Sequence, residues 1–158
     1  MKIYFASDHT GFPLKKILLD YVRDELGHEV EDCGAFAQDE NDDYPDFVKS
    51  AAEQVSQNPD NFAIVLGGTG EGEAMVANRI RGVRAAVYYG GIEVQPDISG
   101  DDLSIVEAAR AHNNANVLSL GARFLNETSA KAAVKTFLET PFAGEERHMR
   151  RLKKIDDL

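Results

Sequence analysis

The chain has 158 residues, 43% hydrophobic and 28% charged, with a formal net charge of −10 and a single cysteine. That length suits one domain with a real core. The acidic balance opposes generic nucleic-acid binding, which needs a basic face, and one thiol excludes an internal disulfide or a zinc site built from several cysteines. No apolar run approaches the length that spans a bilayer, and the opening MKIYFASDH meets Asp8 too early for a secretory leader. The expectation is a cytoplasmic protein with one domain over residues 1–158, without membrane or nucleic-acid partners.

In chain order, residues 2–6 are short, apolar and β-prone. Residues 11–26 then place Leu14, Ile17, Leu18, Tyr21, Val22 and Leu26 at helical spacing, with Pro13 tolerated in the first turn and Gly27 as a stop signal. Residues 28–34 read as a second strand and 35–45 as an acidic loop; Phe47, Val48, Ala51, Ala52 and Val55 mark a second helix. FAIVLG, 62–67, reads as a strand buried on both faces, as in parallel sheets. A glycine loop follows, then a helical stretch over 73–80 and a further buried strand over 83–90. Residues 91–102 lack a clean period and read as a loop, 103–111 as helical, and 115–122 as a fifth strand. Ala130, Ala133, Val134, Phe137 and Leu138 form another helical stripe, and a polar helical tail covers 144–158.

Alternating strand and helix predict an α/β fold with a parallel sheet and right-handed crossovers. Ligands of such sheets bind beyond the carboxyl ends of the strands. That rule singles out Ser7-Asp8-His9, the loop 67–73, Tyr88–Gly91 and Gly121-Ala122-Arg123.

The loop GGTGEGE is not G-x-G-x-x-G and follows the third strand, which weakens a dinucleotide reading; it also lacks the lysine of a Walker loop. A glycine-rich nest before a helix remains, whose N–H groups can hold an anion or a developing oxyanion. Glu73, at the start of that helix, fits two roles. It complements the helix dipole, or it is a general base beside an oxyanion site, as proton abstraction next to a carbonyl requires. Glu71 reads as solvated and Cys33 as a small hydrophobe at a strand end. His9 stands at the sheet's carboxyl edge. His112 lies at a helix end, where Asn113 and Asn114 fit a C-cap or turn. RHMRRLKK, 147–154, carries five Lys/Arg and no acid; it reads as a solvated helix end or as a site for a small anion.

SDHTGFPLK (7–15), DYPD (43–46), GGTGEGEAMVANR (67–79), GVRAAV (82–87), HNNANVLSLGAR (112–123) and RHMRR (147–151) occur in this order. Together they resemble the ribose-5-phosphate isomerase B / galactose-6-phosphate isomerase family over nearly the whole chain. The resemblance implies a Rossmann-like three-layer α/β/α fold around a five-stranded parallel sheet. It also implies an aldose–ketose isomerase with no metal and no cofactor, working as a homodimer or a dimer of dimers with sites at the subunit interface. Many members use a Cys directly before the G-[TS]-G turn as base; Gly67 stands there in this chain. A second branch, typified by mycobacterial enzymes, has Gly there and a Glu after the last loop glycine, the position of Glu73. Asp8 and His9 match the family's substrate-binding pair, and Gly68, Thr69, Gly70, Glu71 and Gly72 its anion-holding loop. His112 matches the acid that assists ring opening, Asn113 a sugar contact, and Arg123, Arg147 and Arg151 the phosphate ligands. Thr69 is expected as a hydroxyl relay, and the two tail arginines as contributions from a neighbouring subunit.

Residues 88–114 look longer than the family usually has between the fourth strand and the His-Asn pair, either as a lid over the sugar or as a tolerated surface insertion. Ribose 5-phosphate is the first expected substrate, with allose or galactose 6-phosphate as alternatives. A sugar-phosphate sensor without activity and a nucleotide-binding domain are the rival classes.

Overall fold

A computed structural model of the chain describes residues 1–91, 94–96, 100 and 102–158. Five parallel strands form the central sheet: β1 (Lys2–Ser7), β2 (Glu29–Asp32), β3 (Phe62–Gly67), β4 (Ala85–Tyr88) and, after a short antiparallel ribbon of β5 (Gln95–Pro96) and β6 (Asp102–Leu103), β7 (Val117–Gly121). Their order is β2-β1-β3-β7-β4. The helices are α1 (Phe12–Asp20, continued by a wider π turn over Tyr21–Glu25), α2 (Tyr44–Gln57), α3 (Glu71–Ala77), α4 (Ile105–Asn113), α5 (Glu127–Glu139) and α6 (Glu146–Asp156). The expected α/β fold with a five-stranded parallel sheet is therefore present.

Alternation along the strands builds two unequal cores. Ile3, Phe5, Ile64, Leu66, Leu118 and Leu120 face one side, packing against Leu18 and Val22 of the α1 segment, Val106 of α4, and Ala130, Val134 and Phe137 of α5. Tyr4, Ala6, Ala63, Val65 and Val117 face the other, against Val48, Ala51, Ala52 and Val55 of α2 and Ala77 of α3. Each fully buried Leu, Ile or Phe contributes about 1.5–3 kcal/mol. On the second side alanines replace bulk, so α2 and α3 lie close to the strands. That close approach brings the N-terminus of α3 down onto the sheet edge, where the glycine loop sits.

Three readings need correction. The 83–90 segment contributes only 85–88 to the sheet and lies at its edge, so Ala85, Ala86 and Val87 are half-buried rather than enclosed. Fully apolar runs fit either position, because an edge strand still packs its faces. The α3 helix begins at Glu71, not at Glu73, because Gly70 takes a left-handed φ of 81° as its N-cap; a glycine adopts that conformation without strain. The 91–102 stretch is not wholly irregular, since Gln95 pairs with Leu103 and Pro96 with Asp102; residues 92–93, 97–99 and 101 of that stretch lie outside those described. The α4 start is marked by a capping box: the Ser104 side chain accepts from the Glu107 N–H, and the Glu107 carboxylate accepts from the Ser104 N–H.

Candidate active site

The glycine loop leaves the carboxyl end of β3 and is held from below by β7. The Ser119 hydroxyl, fully buried, donates to the Gly70 carbonyl at 2.6 Å. Pairing also runs past the strand ends, with the Ala122 N–H on Gly67 O at 2.8 Å and the Arg123 N–H on Gly68 O at 3.2 Å. This delivers Arg123 across the loop. Its guanidinium lies 3.1 Å from where a β-carbon on Gly68 would stand, so a side chain there would press on it.

Glu73 is 3% exposed. Its carboxylate fills the space over Gly67, where any β-carbon would overlap it. Burial pushes its pKa above the ordinary carboxylate value, its own backbone N–H opposes the shift, and nearby Asp8 adds to it. A raised carboxyl close to a cavity is suited to accept and return a proton. The first helical bond of α3 runs from Ala74 N–H to Gly70 O at 3.0 Å. The N–H groups of Glu71, Gly72 and Glu73 thus lack helical acceptors, and that of Glu71 reaches Thr69 Oγ1 at 3.3 Å. Glu71 itself is exposed, as expected, and Thr69 is exposed at the rim.

Asp8 and His9 follow β1. The buried Asp8 accepts from the N–H groups of Thr10 (2.9 Å) and Gly11 (3.1 Å), which fixes the turn into α1. His9 is tied to Asp42, whose Oδ1 lies 2.6 Å from the ring Nδ1. Together Asp8, His9, Thr10, Tyr44, Gly68, Thr69, Gly72, Glu73 and Arg123 line a cavity of about 340 Å³. A larger hollow of about 510 Å³ at the other end of the sheet, between residues 78–83 and 155–158, has no buried titratable group in its lining and offers no such chemistry.

Sequence reasoning missed three residues here. Tyr44 places its hydroxyl against Gly72, 2.6 Å from where a β-carbon would be. Asp42 sits in what read as a featureless acidic loop. Ser119 is an inward polar residue in an otherwise apolar strand, and that break in the pattern was a readable signal. Among the described residues, Asp8, His9 and Asp42 could offer metal ligands within 4.8 Å of one another. Their hydrogen bonds to each other and to the backbone engage Asp8 Oδ1, Asp42 Oδ1 and His9 Nδ1.

The other expected residues stand elsewhere. His112 and Asn113 close α4, and Asn114 is its left-handed C-cap with φ 44°. This helix end feeds the amino end of β7, whereas Glu73 lies past the carboxyl end of β3, and the two strands run parallel from Ala63↔Val117 to Gly67↔Gly121. About 13 Å of strand therefore separates the two groups within one chain. The His112 ring stacks on that of His148 of α6, with centroids 4.4 Å apart and planes 6° from parallel. His148 is buried, and desolvation, then His112 and Arg147, lower its pKa. The Arg147 Nε lies 2.7 Å from Glu145 and 3.3 Å from His148 Nε2. Arg151 is exposed one turn further along α6, on the same face as Arg147. The Cys33 thiol, pushed up to about 11 chiefly by burial, is unsuited to nucleophilic work near neutral pH.

A covered parallel sheet with a buried carboxylate over a glycine turn at its carboxyl edge defines an α/β protein suited to proton transfer on a small polar ligand. The profile of the ribose/galactose isomerase family matches residues 3–155. Ribose-5-phosphate isomerase B of Mycolicibacterium paratuberculosis is 38% identical over 152 residues, covering 96% of this chain and 87% of that protein. The crystal structure of ribose-5-phosphate isomerase B from Mycoplasma genitalium with bound ribulose-5-phosphate matches with a TM-score of 0.85 at 39% identity, over 99% of this chain and 94% of that one. A ribose 5-phosphate isomerase from Thermotoga maritima matches with a TM-score of 0.84 at 41% identity, over 99% and 98%. The chain belongs to the ribose/galactose isomerase family.

Proposed function

We propose that this protein interconverts ribose 5-phosphate and ribulose 5-phosphate, with Glu73 as the base. The observation that carries the reading is the buried Glu73 carboxylate, with its raised pKa, lying over Gly67 in a cavity shared with His9, Thr69 and Arg123. The chain's relatives with this fold include an isomerase solved with ribulose-5-phosphate, which supports the substrate class.

In the proposed cycle His112 assists opening of the furanose. Glu73 takes the proton from C2, and the C–H electrons form the C1=C2 bond as the O1 carbonyl becomes an enediolate oxygen. The loop N–H groups from Gly68 to Gly72 hold that charge, and Thr69 relays a proton between the two oxygens. Glu73 then returns its proton to C1 as the C2 carbonyl forms. Asp8, His9 and Asn113 hold the sugar, and Arg123, Arg147 and Arg151 hold the phosphate, for which the guanidinium fork is suited. No electrons leave the substrate, so the steps need no redox cofactor.

Because His112, Asn113, Arg147 and Arg151 lie at the opposite end of the sheet from Glu73, we place them in the site of a second copy. The protein is thus proposed to act as a homodimer or a tetramer, each chain a single domain of residues 1–158 in the cytoplasm. Among the described residues no helix is long and apolar enough to cross a membrane. The test is an isomerisation assay on a panel of five- and six-carbon aldose phosphates. Turnover of ribose 5-phosphate well above that of allose and galactose 6-phosphates supports the reading; the reverse order moves it to a six-carbon substrate, and no turnover removes it.

A further inference from the structure

The proposed cycle leaves Asp42 without a role, yet its surroundings are unusual for an acid in a polar loop. Asp39, Glu40, Asn41 and Asp43 are exposed, whereas the Asp42 side chain is only 9% exposed. Its Oδ1 receives two hydrogen bonds from one residue, the His9 N–H at 3.0 Å and the ring Nδ1 at 2.6 Å. Its Oδ2 is buried with no hydrogen-bond partner among the described residues. A buried carboxylate oxygen without a donor costs stability. For folding alone a neutral acceptor would hold His9 at smaller cost. What the carboxylate adds is direction and charge. It fixes the proton on Nδ1, which leaves Nε2 as the ring nitrogen available to a ligand.

We propose that Asp42 is a positioning residue of the reaction: it clamps the backbone and ring of His9 so that a protonated imidazole presents Nε2–H to an oxygen of the anionic sugar phosphate. The inference rests on the isomerase reading. His9 lines the cavity with Glu73, Thr69 and Arg123, so a donor there meets the same ligand that Glu73 deprotonates. The surrounding charges agree. The hydrogen bond to Asp42 raises the His9 pKa most, Asp8 and Glu40 add to it, and burial opposes. The titratable groups around the ring are Asp8 from the turn after β1, Asp39, Glu40 and Asp42 from the loop before α2, and Glu73 and Arg123 across the cavity. Within one chain these acids outnumber the single guanidinium; in the proposed assembly the second copy's phosphate-holding arginines join the same site.

Asp42→Asn keeps the shape and an acceptor oxygen and removes the charge. Two readouts on the full-length protein test it: the NMR titration of the His9 imidazole, and kcat/KM for ribose 5-phosphate from mildly acid to mildly alkaline pH. The expected result is a His9 titration shifted to lower pH and an alkaline limb of kcat/KM shifted with it, the loss appearing as higher KM. In a His9→Asn background, adding Asp42→Asn should change kcat/KM no further. A wild-type pH profile in Asp42→Asn, or losses that multiply in the double variant, overturns the proposal while the isomerase reading stands. A wild-type protein inert toward all sugar phosphates removes both. Asp42→Ser, which retains one acceptor, replaces the amide variant if that one does not fold.

Discussion

The carboxylate of Glu73 and a side chain at position 67 compete for one volume: a β-carbon on Gly67 would overlap the Glu73 carboxylate. A side chain at position 67 would therefore have to enter the space this carboxylate holds. With Glu73 in this position, position 67 has room only for glycine, and any larger residue there obliges the carboxylate to move.

Gly67→Ala should displace Glu73 from its place. The expected outcome is a fall in kcat of about 100-fold or more, the size of a lost general base, together with a lower melting temperature. In a Glu73→Ala background the same substitution should cost much less stability, since the overlapping atoms are gone. A thermodynamic cycle of the four proteins measures that coupling, and strict additivity would contradict the overlap.

Glu73→Gln should separate activity from stability. Loss of the base should lower kcat by about 10²–10⁴-fold. The stability effect runs the other way. The folded protein raises the Glu73 pKa by burying it, so ionisation is harder folded than unfolded. That penalty is absent below the ordinary carboxylate pKa and fully present above the raised one. At neutral pH Glu73→Gln should melt higher than wild type, with the gap closing as the solution is acidified. A variant that melts lower throughout would show that the charge is paired rather than merely buried.

Mixing two inactive variants tests the assembly. If each site takes Glu73 from one chain and His112 from another, a heterodimer of Glu73→Gln and His112→Ala has one intact site. Random reassortment of equal amounts should restore about a quarter of wild-type activity, because half of the symmetric dimers are mixed and each has one good site. Mixtures as inactive as their parents would place both residues in one chain's site. In the same assembly Arg147→Ala should raise KM strongly with a smaller change in kcat, as expected for a phosphate ligand.

Arg110 anchors the carboxyl end of α4, next to His112 and Asn113. Its guanidinium stacks on Phe62 and Phe137, with distances of 4.7 and 5.6 Å to the ring centroids. It donates to Thr140 O, Asn114 Oδ1 and Ala115 O, and burial lowers its pKa to about 10. Arg110→Ala leaves those buried acceptors unpaired and should destabilise the fold by about 2–4 kcal/mol, measurable by urea denaturation.

The elements of this fold were legible because they rest on local rules. FAIVLG matched β3 residue for residue, and the Gly27 stop and the α2 stripe held, since periodicity and breakers act within a few residues. Sheet order was not legible: nothing near Ala85–Tyr88 shows that β7, which comes later in the chain, inserts between it and β3. The site divided in the same way. Glu73, Asp8, His9 and Arg123 follow strands, so the rule about carboxyl edges found them. Tyr44 reaches the cavity from the first turn of α2, and Asp42 reaches His9 from the loop just before it, so both depend on how α2 packs on the sheet. His112 at a helix end and the basic segment around Arg147 were visible in the sequence, but their specific roles came only from the resemblance, since within one chain they stand at the other end of the sheet from Glu73.

The opposite placement of the two groups has a geometric corollary. Under the proposed pairing, one copy offers its carboxyl end where the other offers its amino end, so in a two-fold dimer the strands of the two sheets run antiparallel across the contact. The five residues of β7 then act as a ruler that sets how far apart the paired reaction centres stand. A residue inserted in β7 would shift both centres at once, and would do so without touching a single group that meets the sugar.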